Sequence, residues 1–196
     1  MRRVTRDEIL DYVTYGDRRA EIRSQAMTVK AERRVHVGRY LTFLFENHDT
    51  VRYQIQEMVR VEQMVREADI DREVETYNEL LGGAGELGCT LLIEIDDASI
   101  RDDKLTQWTA LPDAVFLELP NGTRVGPTVD GRQRSAARLS AVQYLKFQTG
   151  GEVPVAVGVD LGEQGLEERT ELSESQRAAL AEDLIDDGSR LGTNVV

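Results

Sequence analysis

Short apolar runs and alternating apolar and polar positions predict most of the strands in this chain. Two runs rich in β-branched and aromatic residues, 34–37 and 41–45, flank the turn Gly38-Arg39-Tyr40. They predict a β-hairpin in which Val37 pairs with Leu41 and His36 lies opposite Thr42. Further strands are predicted at 87–95, 114–119, 123–129, 141–147 and 153–159, with an Asn-Gly turn at residues 120–122.

Helical periodicity and helix-end signals occupy the remaining segments. Thr5 is a capping residue before an apolar run, and Gly16 is expected to separate two helices within about residues 5–33. Ser173 and Gln176 have capping-box spacing and predict a last helix that ends near Ile185. Helices are also predicted at about 50–67, 69–81 and 99–109, the second of them ended by the glycines at 82, 83 and 85.

Strands joined by short glycine-rich turns are typical of an antiparallel sheet with helices gathered on one face. We therefore predict an α+β fold with a mostly antiparallel sheet, helices on one face and an N-terminal helical segment. A chain of 196 residues suits a single domain, which we place at residues 1–185. Residues 186–196 are expected to form a flexible tail.

Composition narrows the classes of partner. A formal net charge of -12 weighs against nucleic acid as a partner, because phosphate contacts need a basic surface. Basic residues outnumber acidic ones in 1–34, whereas acidic residues prevail in 151–196, which predicts a solvated surface or a docking face. The apolar runs are shorter than the roughly 20 residues that span a bilayer, and the N-terminus lacks the pattern of a secretory signal. We expect a cytoplasmic protein with no membrane partner.

Cofactor and metal signatures are sparse in the sequence. Cys89 is the only cysteine and lies in an apolar strand, so we expect it to be buried and inert. No Glu-x-x-His pair, P-loop, Gly-x-Gly-x-x-Gly or Gly-x-Ser-x-Gly motif is present. His36 and Glu46 would share a sheet face but lie roughly 13 Å apart, which is too far to share a metal ion. We therefore predict neither a metal site nor a cofactor.

The most polar predicted junction lies where the second strand meets the following helix. Glu46, Asn47 and Asp49 come at this junction, and Arg52 and Gln56 follow one helical turn apart. Two interpretations stay open: these residues cap the helix and form the turn, or they line a polar ligand site.

A further carboxylate, Glu62, falls within an apolar stripe on the helical wheel of residues 51–66. It would form an ion pair with an arginine of the 17–34 segment, act as a metal ligand or acid–base group, or lie exposed on a loosely packed face. The candidate ligand-binding residues are therefore Glu46, Asn47, Asp49, Arg52, Gln56 and Glu62.

Several blocks together resemble the family known as domain of unknown function 3501. They are Arg33-Arg34-Val35 with Gly38, the run from Leu44 to Met58, Tyr77-Asn78 with Gly85-Glu86-Leu87, and Glu167 to Leu172. The resemblance extends over about residues 5–185. It implies a genomic setting beside rubrerythrin-like di-iron proteins and iron–sulfur oxidoreductases of the heterodisulfide-reductase type, and thus a role in redox or peroxide stress. It implies no catalytic residues.

Three functions remain open from the sequence. The first is a non-catalytic accessory or binding protein with a rubrerythrin-like or iron–sulfur oxidoreductase partner. The second is a small-ligand-binding protein or enzyme with a polar pocket at the 45–62 junction, where Arg52 holds an anionic group. The third is a structural homodimer, which predicts that Ile22, Met27 and Val29 form an exposed apolar strip.

Overall fold

The computed structural model describes residues 1–129 and 137–185, and within them it contains two antiparallel sheets and six α-helices. The strands are β1 (Arg34–Val37), β2 (Leu41–Glu46), β3 (Glu86–Ile93), β4 (Val115–Glu118), β5 (Arg124–Val125), β6 (Thr128–Val129), β7 (Val142–Gln148), β8 (Ala156–Leu161) and β9 (Leu166–Glu171). The helices are α1 (Tyr12–Ala31), α2 (His48–Val61), α3 (Glu67–Asn78), α4 (Ala98–Gln107), α5 (Leu111–Ala114) and α6 (Glu174–Ile185), and two 3-10 helices cover Arg6–Glu8 and Gly162–Gln164.

The sheet topology confirms the α+β class, but the strands form two sheets. One sheet has the order β1-β2-β3-β7-β6 and the other has β5-β4-β8-β9. The predicted strand 123–129 is divided between them, because β5 pairs with β4 whereas β6 pairs with β7. Gly126 and Pro127 separate β5 from β6, and proline has no N–H to donate to a continuous ladder.

Inward-facing residues of both sheets form one hydrophobic core. Phe43, Leu91 and Phe147 come from the first sheet, and Leu117 and Val157 come from the second. A separate cluster joins α2 and α3 to the N-terminal segment; it contains Val4, Ile9, Val51, Ile55, Val59, Ile70, Val74 and Leu81. The first hairpin has the predicted register, with Val37 opposite Leu41 and His36 opposite Thr42.

The N-terminal helices differ from the prediction at Gly16. A single helix, α1, runs through this glycine, since Asp11 caps it by accepting hydrogen bonds from the N–H groups of Val13 and Thr14. Glycine inside a helix costs only about 0.5–1 kcal/mol relative to alanine, which a 20-residue helix tolerates. Thr5 precedes the short 3-10 helix at Arg6–Glu8.

The C-terminal part contains one strand without a clear sequence signal and one helix with a clear one. β9 was not predicted, because its exposed acidic side chains carry little strand propensity. The capping box of α6 is confirmed by reciprocal hydrogen bonds between Ser173 and Gln176. The flexible tail predicted at 186–196 lies outside the described residues. None of the helices in the described ranges combines the length and the apolar character needed to cross a bilayer.

Candidate functional site

Asn47 positions the junction between β2 and α2 as the N-cap of the helix. Its side-chain oxygen accepts a hydrogen bond from the Thr50 N–H at 3.0 Å, and the Thr50 hydroxyl oxygen accepts one from the Asn47 N–H at 2.9 Å. These bonds satisfy two backbone donors that a helix start would otherwise leave unpaired. The capping interpretation of this segment therefore holds for Asn47.

Glu46 is buried at the end of β2, with only 1% of its surface exposed. Its carboxylate accepts hydrogen bonds from the hydroxyls of Thr50 at 2.5 Å and Thr90 at 2.6 Å. The Gln54 amide donates to the same carboxylate at 3.0 Å. These three neutral donors make burial of the group tolerable, because a buried carboxylate without partners would be strongly disfavoured. Burial lowers the pKa of the Lys30 amine, and the negative charge of Glu46 opposes this shift without cancelling it.

The second contact of Asn47 reaches the C-terminal helix. Its amide donates to Oδ1 of Asp183 at 3.3 Å, and Asp183 also pairs with Arg33 through bonds of 2.8 and 2.9 Å. The Arg33 and Asp183 side chains are only 6% and 7% exposed. Burial raises the pKa of the Asp183 carboxyl, and the Arg33 guanidinium opposes this rise. Asn47 is thus part of the linkage between α6 and the end of α1.

Three of the predicted residues do come together, at a cavity of about 240 Å³ between α1 and α2. Asp49, Arg52 and Gln56 line it. Gln56 is committed to the backbone, since its amide donates to the Leu10 carbonyl at 2.8 Å and its oxygen accepts from the Leu10 N–H at 2.9 Å. The α1 residues that line the cavity are Arg18, Ile22, Gln25, Ala26 and Val29.

Glu62 lies apart from this cavity and is exposed, so the apolar stripe of the helical wheel does not extend to it. The helix ends at Val61 rather than at residue 67, with Glu62 as its C-cap and Gln63 at a φ of +48°. Beyond that point the helical wheel no longer applies, and Val65 is 72% exposed. Of the three alternatives for this carboxylate, exposure is the one observed.

Two of the apolar positions proposed for a dimer strip face the same cavity. Ile22 and Val29 line it and, like Met27, are half-buried. They do not form the exposed strip that the homodimer interpretation predicted.

Sequence inspection missed the ionic contact that joins α1 to α2. The Glu57 carboxylate accepts hydrogen bonds from the Tyr15 hydroxyl at 2.5 Å, from Arg19 at 2.8 and 3.0 Å, and from Arg60 at 3.1 Å. Burial alone would raise the pKa of Glu57, but these bonds outweigh it and lower the pKa to about 2. Burial and the Glu57 charge raise the pKa of Tyr15. The spacing of Tyr15 and Arg19, one helical turn apart, was the available signal.

His48 connects the start of α2 to the N-terminal segment. Its Nε2 lies 3.0 Å from a carboxylate oxygen of Glu8, and its Nδ1 lies 3.1 Å from Asp49 and 3.0 Å from a guanidinium nitrogen of Arg2. Burial would raise the pKa of Glu8, but a backbone hydrogen bond from Thr5 and the contact with His48 lower it to about 2. In the described parts of the chain, no group of three or more His, Cys, Asp or Glu side chains has the arrangement of a metal site.

A wider cleft, of about 1050 Å³, lies between α3, the following loop and β7. Tyr77 of α3 and Tyr144 and Lys146 of β7 contribute to its walls. Burial and the charge of Glu73 raise the pKa of Tyr77. Tyr144 is 42% exposed. No local signal in the sequence marks this cleft, because its walls come from segments far apart in the chain.

Two local features shape the cleft. A Cβ atom at Gly88 would lie 1.9 Å from the Leu80 carbonyl oxygen, so only glycine lets the loop after α3 lie against β3. The N-terminal segment, whose Met1 and Arg3 also line the cleft, is held by Asn78, which exchanges hydrogen bonds of 2.8 and 2.9 Å with the Val4 backbone.

Comparisons with known proteins agree with this architecture. A crystal structure of a protein of unknown function from Burkholderia pseudomallei K96243 is similar, with a TM-score of 0.83 and 28% sequence identity. The match covers 92% of this chain and 98% of that protein. No curated protein is significantly similar to this chain. The family model described as protein of unknown function (DUF3501) matches residues 3–184, and the chain therefore belongs to the DUF3501 family.

Proposed function

We propose that this protein is a non-catalytic accessory or binding protein of the cytoplasm that works with redox or peroxide-stress proteins. Its partner is a rubrerythrin-like protein or an iron–sulfur oxidoreductase, the two classes that the family resemblance implies. In this arrangement the partner supplies the metal centres and the chain supplies a docking surface.

Internal hydrogen bonding at the β2–α2 junction supports this function over a catalytic pocket at that place. The carboxylate of Glu46 and the amides of Asn47 and Gln56 are each bonded within the chain. A ligand at the junction would have to replace these bonds, and each buried polar group left without a partner costs about 1–3 kcal/mol. Glu46, Asn47 and Gln56 therefore serve the fold.

The observation that carries the proposal is the cleft between α3 and β7. Its volume of about 1050 Å³ lies just above the roughly 300–1,000 Å³ of small-molecule sites, and it suits an inserted protein segment. Tyr77, Tyr144 and Arg3 line it, and tyrosine and arginine are the residue types that often dominate the energy of protein–protein contacts.

Biolayer interferometry with purified rubrerythrin-like and iron–sulfur oxidoreductase proteins from the same organism tests the proposal. We expect one of them to bind the wild-type chain. The double variant Arg3→Glu/Lys146→Glu reverses two charges at the cleft and is expected to weaken that binding about tenfold or more, through like-charge repulsion and lost hydrogen bonds.

The matched control is Arg66→Glu/Arg72→Glu, since these arginines are 83% and 72% exposed in their side chains and lie outside the cleft. This variant has the same change in net charge and is expected to bind as the wild type does. Absence of binding by both candidate partners contradicts the proposed function. Equal binding by the two double variants contradicts the assignment of the cleft.

A further inference from the structure

Two arginines from different helices line the cavity between α1 and α2. Arg18 comes from α1 and Arg52 from α2, and both line its volume of about 240 Å³. The cavity is separate from the cleft assigned to the partner, because the two share no lining residue.

Among the described residues, neither guanidinium has a carboxylate partner closer than 3.9 Å. In the described parts of the chain Arg18 forms no ion pair, and the carboxylate nearest to Arg52 is that of Asp49, at 3.9 Å. By contrast, Arg19 and Arg33 bind carboxylates at 2.8 Å. Arg18 is exposed and the Arg52 side chain is 41% exposed, so both guanidinium groups are accessible to a ligand that enters from solvent.

The two carboxylates at this cavity are already engaged. Glu8 is bound by Arg2 at 2.9 Å and by His48 at 3.0 Å, and Asp49 lies 3.1 Å from His48. Arg2 thus compensates the charge of Glu8 from outside the cavity, which leaves the guanidinium groups of Arg18 and Arg52 to meet a ligand.

The remaining walls combine apolar side chains with the amides of Gln25 and Gln56. Ile22, Ala26, Val29 and the ring of Tyr53 line the cavity. The volume falls below the roughly 300 Å³ at which sites for drug-sized molecules begin. A fitting ligand is therefore small, with a planar anionic head for the two guanidinium groups and a short apolar tail.

We propose that this cavity binds a small aliphatic monocarboxylate, whose carboxylate group is held between Arg18 and Arg52 and whose tail packs on Ile22 and Val29. This site goes beyond the accessory function, and its occupation does not depend on the partner. Glu46, Asn47 and Glu62 have no part in it.

Isothermal titration calorimetry of the full chain with sodium butanoate tests this site, with butanamide as the neutral analogue and inorganic phosphate as the alternative anion. We expect saturable binding of butanoate at millimolar concentrations and no binding of butanamide. Arg52→Gln and Arg18→Gln are each expected to weaken butanoate binding about tenfold or more, since a charge-assisted bidentate pair is lost. Arg52→Lys is expected to restore part of the affinity, because it keeps the charge without the planar fork.

Arg72→Gln is the control, with the same loss of charge at an exposed position on α3. The Arg3→Glu/Lys146→Glu variant separates this proposal from the accessory function, because it is expected to bind butanoate as the wild type does. Absence of butanoate binding, equal binding of butanamide, or unchanged affinity in both glutamine variants overturns the proposal. Saturable binding of phosphate in place of butanoate would show that the ligand is not a carboxylate, and this part of the proposal would be wrong.

Discussion

The Glu46 carboxylate accepts a 2.6 Å hydrogen bond from the hydroxyl of Thr90, a residue 44 positions further along the chain. This contact joins the end of β2 to the middle of β3 beneath α2, in a region with little access to solvent. A polar segment that looks like a ligand site in the sequence is thereby an internal hydrogen-bond network in the fold.

Glu46→Gln is expected to lower the free energy of unfolding by about 1–3 kcal/mol. The new amide N–H₂ group would face the hydroxyl and amide donors that now donate to the carboxylate, so one or more donors would lose a partner. Urea unfolding followed by circular dichroism measures the change. Glu62→Gln is the control, and it is expected to change stability by less than about 0.5 kcal/mol because Glu62 is exposed. Equal effects of the two variants would contradict the network.

The Arg33–Asp183 pair is expected to behave as a buried ion pair. Asp183→Leu leaves the Arg33 guanidinium buried without its partner, and we expect a loss of about 3–5 kcal/mol. The double variant Arg33→Met/Asp183→Leu is expected to lose much less, because no charge is then stranded. A double-mutant cycle in urea measures the coupling. If the losses caused by Asp183→Leu and Arg33→Met simply add up in the double variant, the contact contributes little to stability.

Acid is expected to weaken the contact between α1 and α2 through Glu57. Its pKa is lowered from 4.5 to about 2 in the folded chain, so its contribution is present above the unfolded value and is lost as the pH falls. The free energy of unfolding should therefore decrease between about pH 4.5 and pH 2. Glu57→Gln, compared with wild type in urea titrations across this range, should show a shallower decrease. An identical slope in both proteins would argue against this assignment.

Two glycine substitutions are expected to have opposite effects. Gly16→Ala should raise the free energy of unfolding by about 0.5–1 kcal/mol, because nothing lies within 4 Å of the new Cβ atom and alanine favours the helix. Gly88→Ala should destabilise the protein strongly, since its Cβ atom would lie 1.9 Å from the Leu80 carbonyl oxygen. Differential scanning calorimetry measures the change in unfolding temperature of each variant relative to the wild type. A tolerated Gly88→Ala would mean that the loop after α3 moves away from β3 at little cost.

Local signals in the sequence predicted the elements that depend on nearby residues. The first hairpin register follows from a three-residue turn between two apolar runs, and the start of α6 follows from the reciprocal caps of Ser173 and Gln176. The prediction of a break at Gly16 was wrong, because a favourable cap at Asp11 and contacts with α2 outweigh the cost of one glycine.

The strand β9 illustrates why other elements escaped prediction. Most of its side chains are exposed and charged, so neither propensity nor alternation marks it. It is a strand because its backbone pairs with β8 over Leu166–Glu171. Likewise, the helical wheel placed Glu62 in an apolar stripe because it extends past Val61, where α2 ends and Gln63 takes a positive φ.

The sequence by itself therefore determined the α+β class, the residues able to cap α2 and the residues available for polar contacts, since these depend on composition and on neighbours within a few positions. Only the tertiary structure decided which polar residues are hydrogen-bonded within the chain and which face a cavity. Glu46 accepts a hydrogen bond from Thr90 and Asn47 donates one to Asp183, whereas Arg52 and Arg18 line the same cavity. The physical reason is that hydrogen bonds and cavities between distant segments depend on how sheets and helices pack. This packing has no signal in the residues that neighbour each position along the chain.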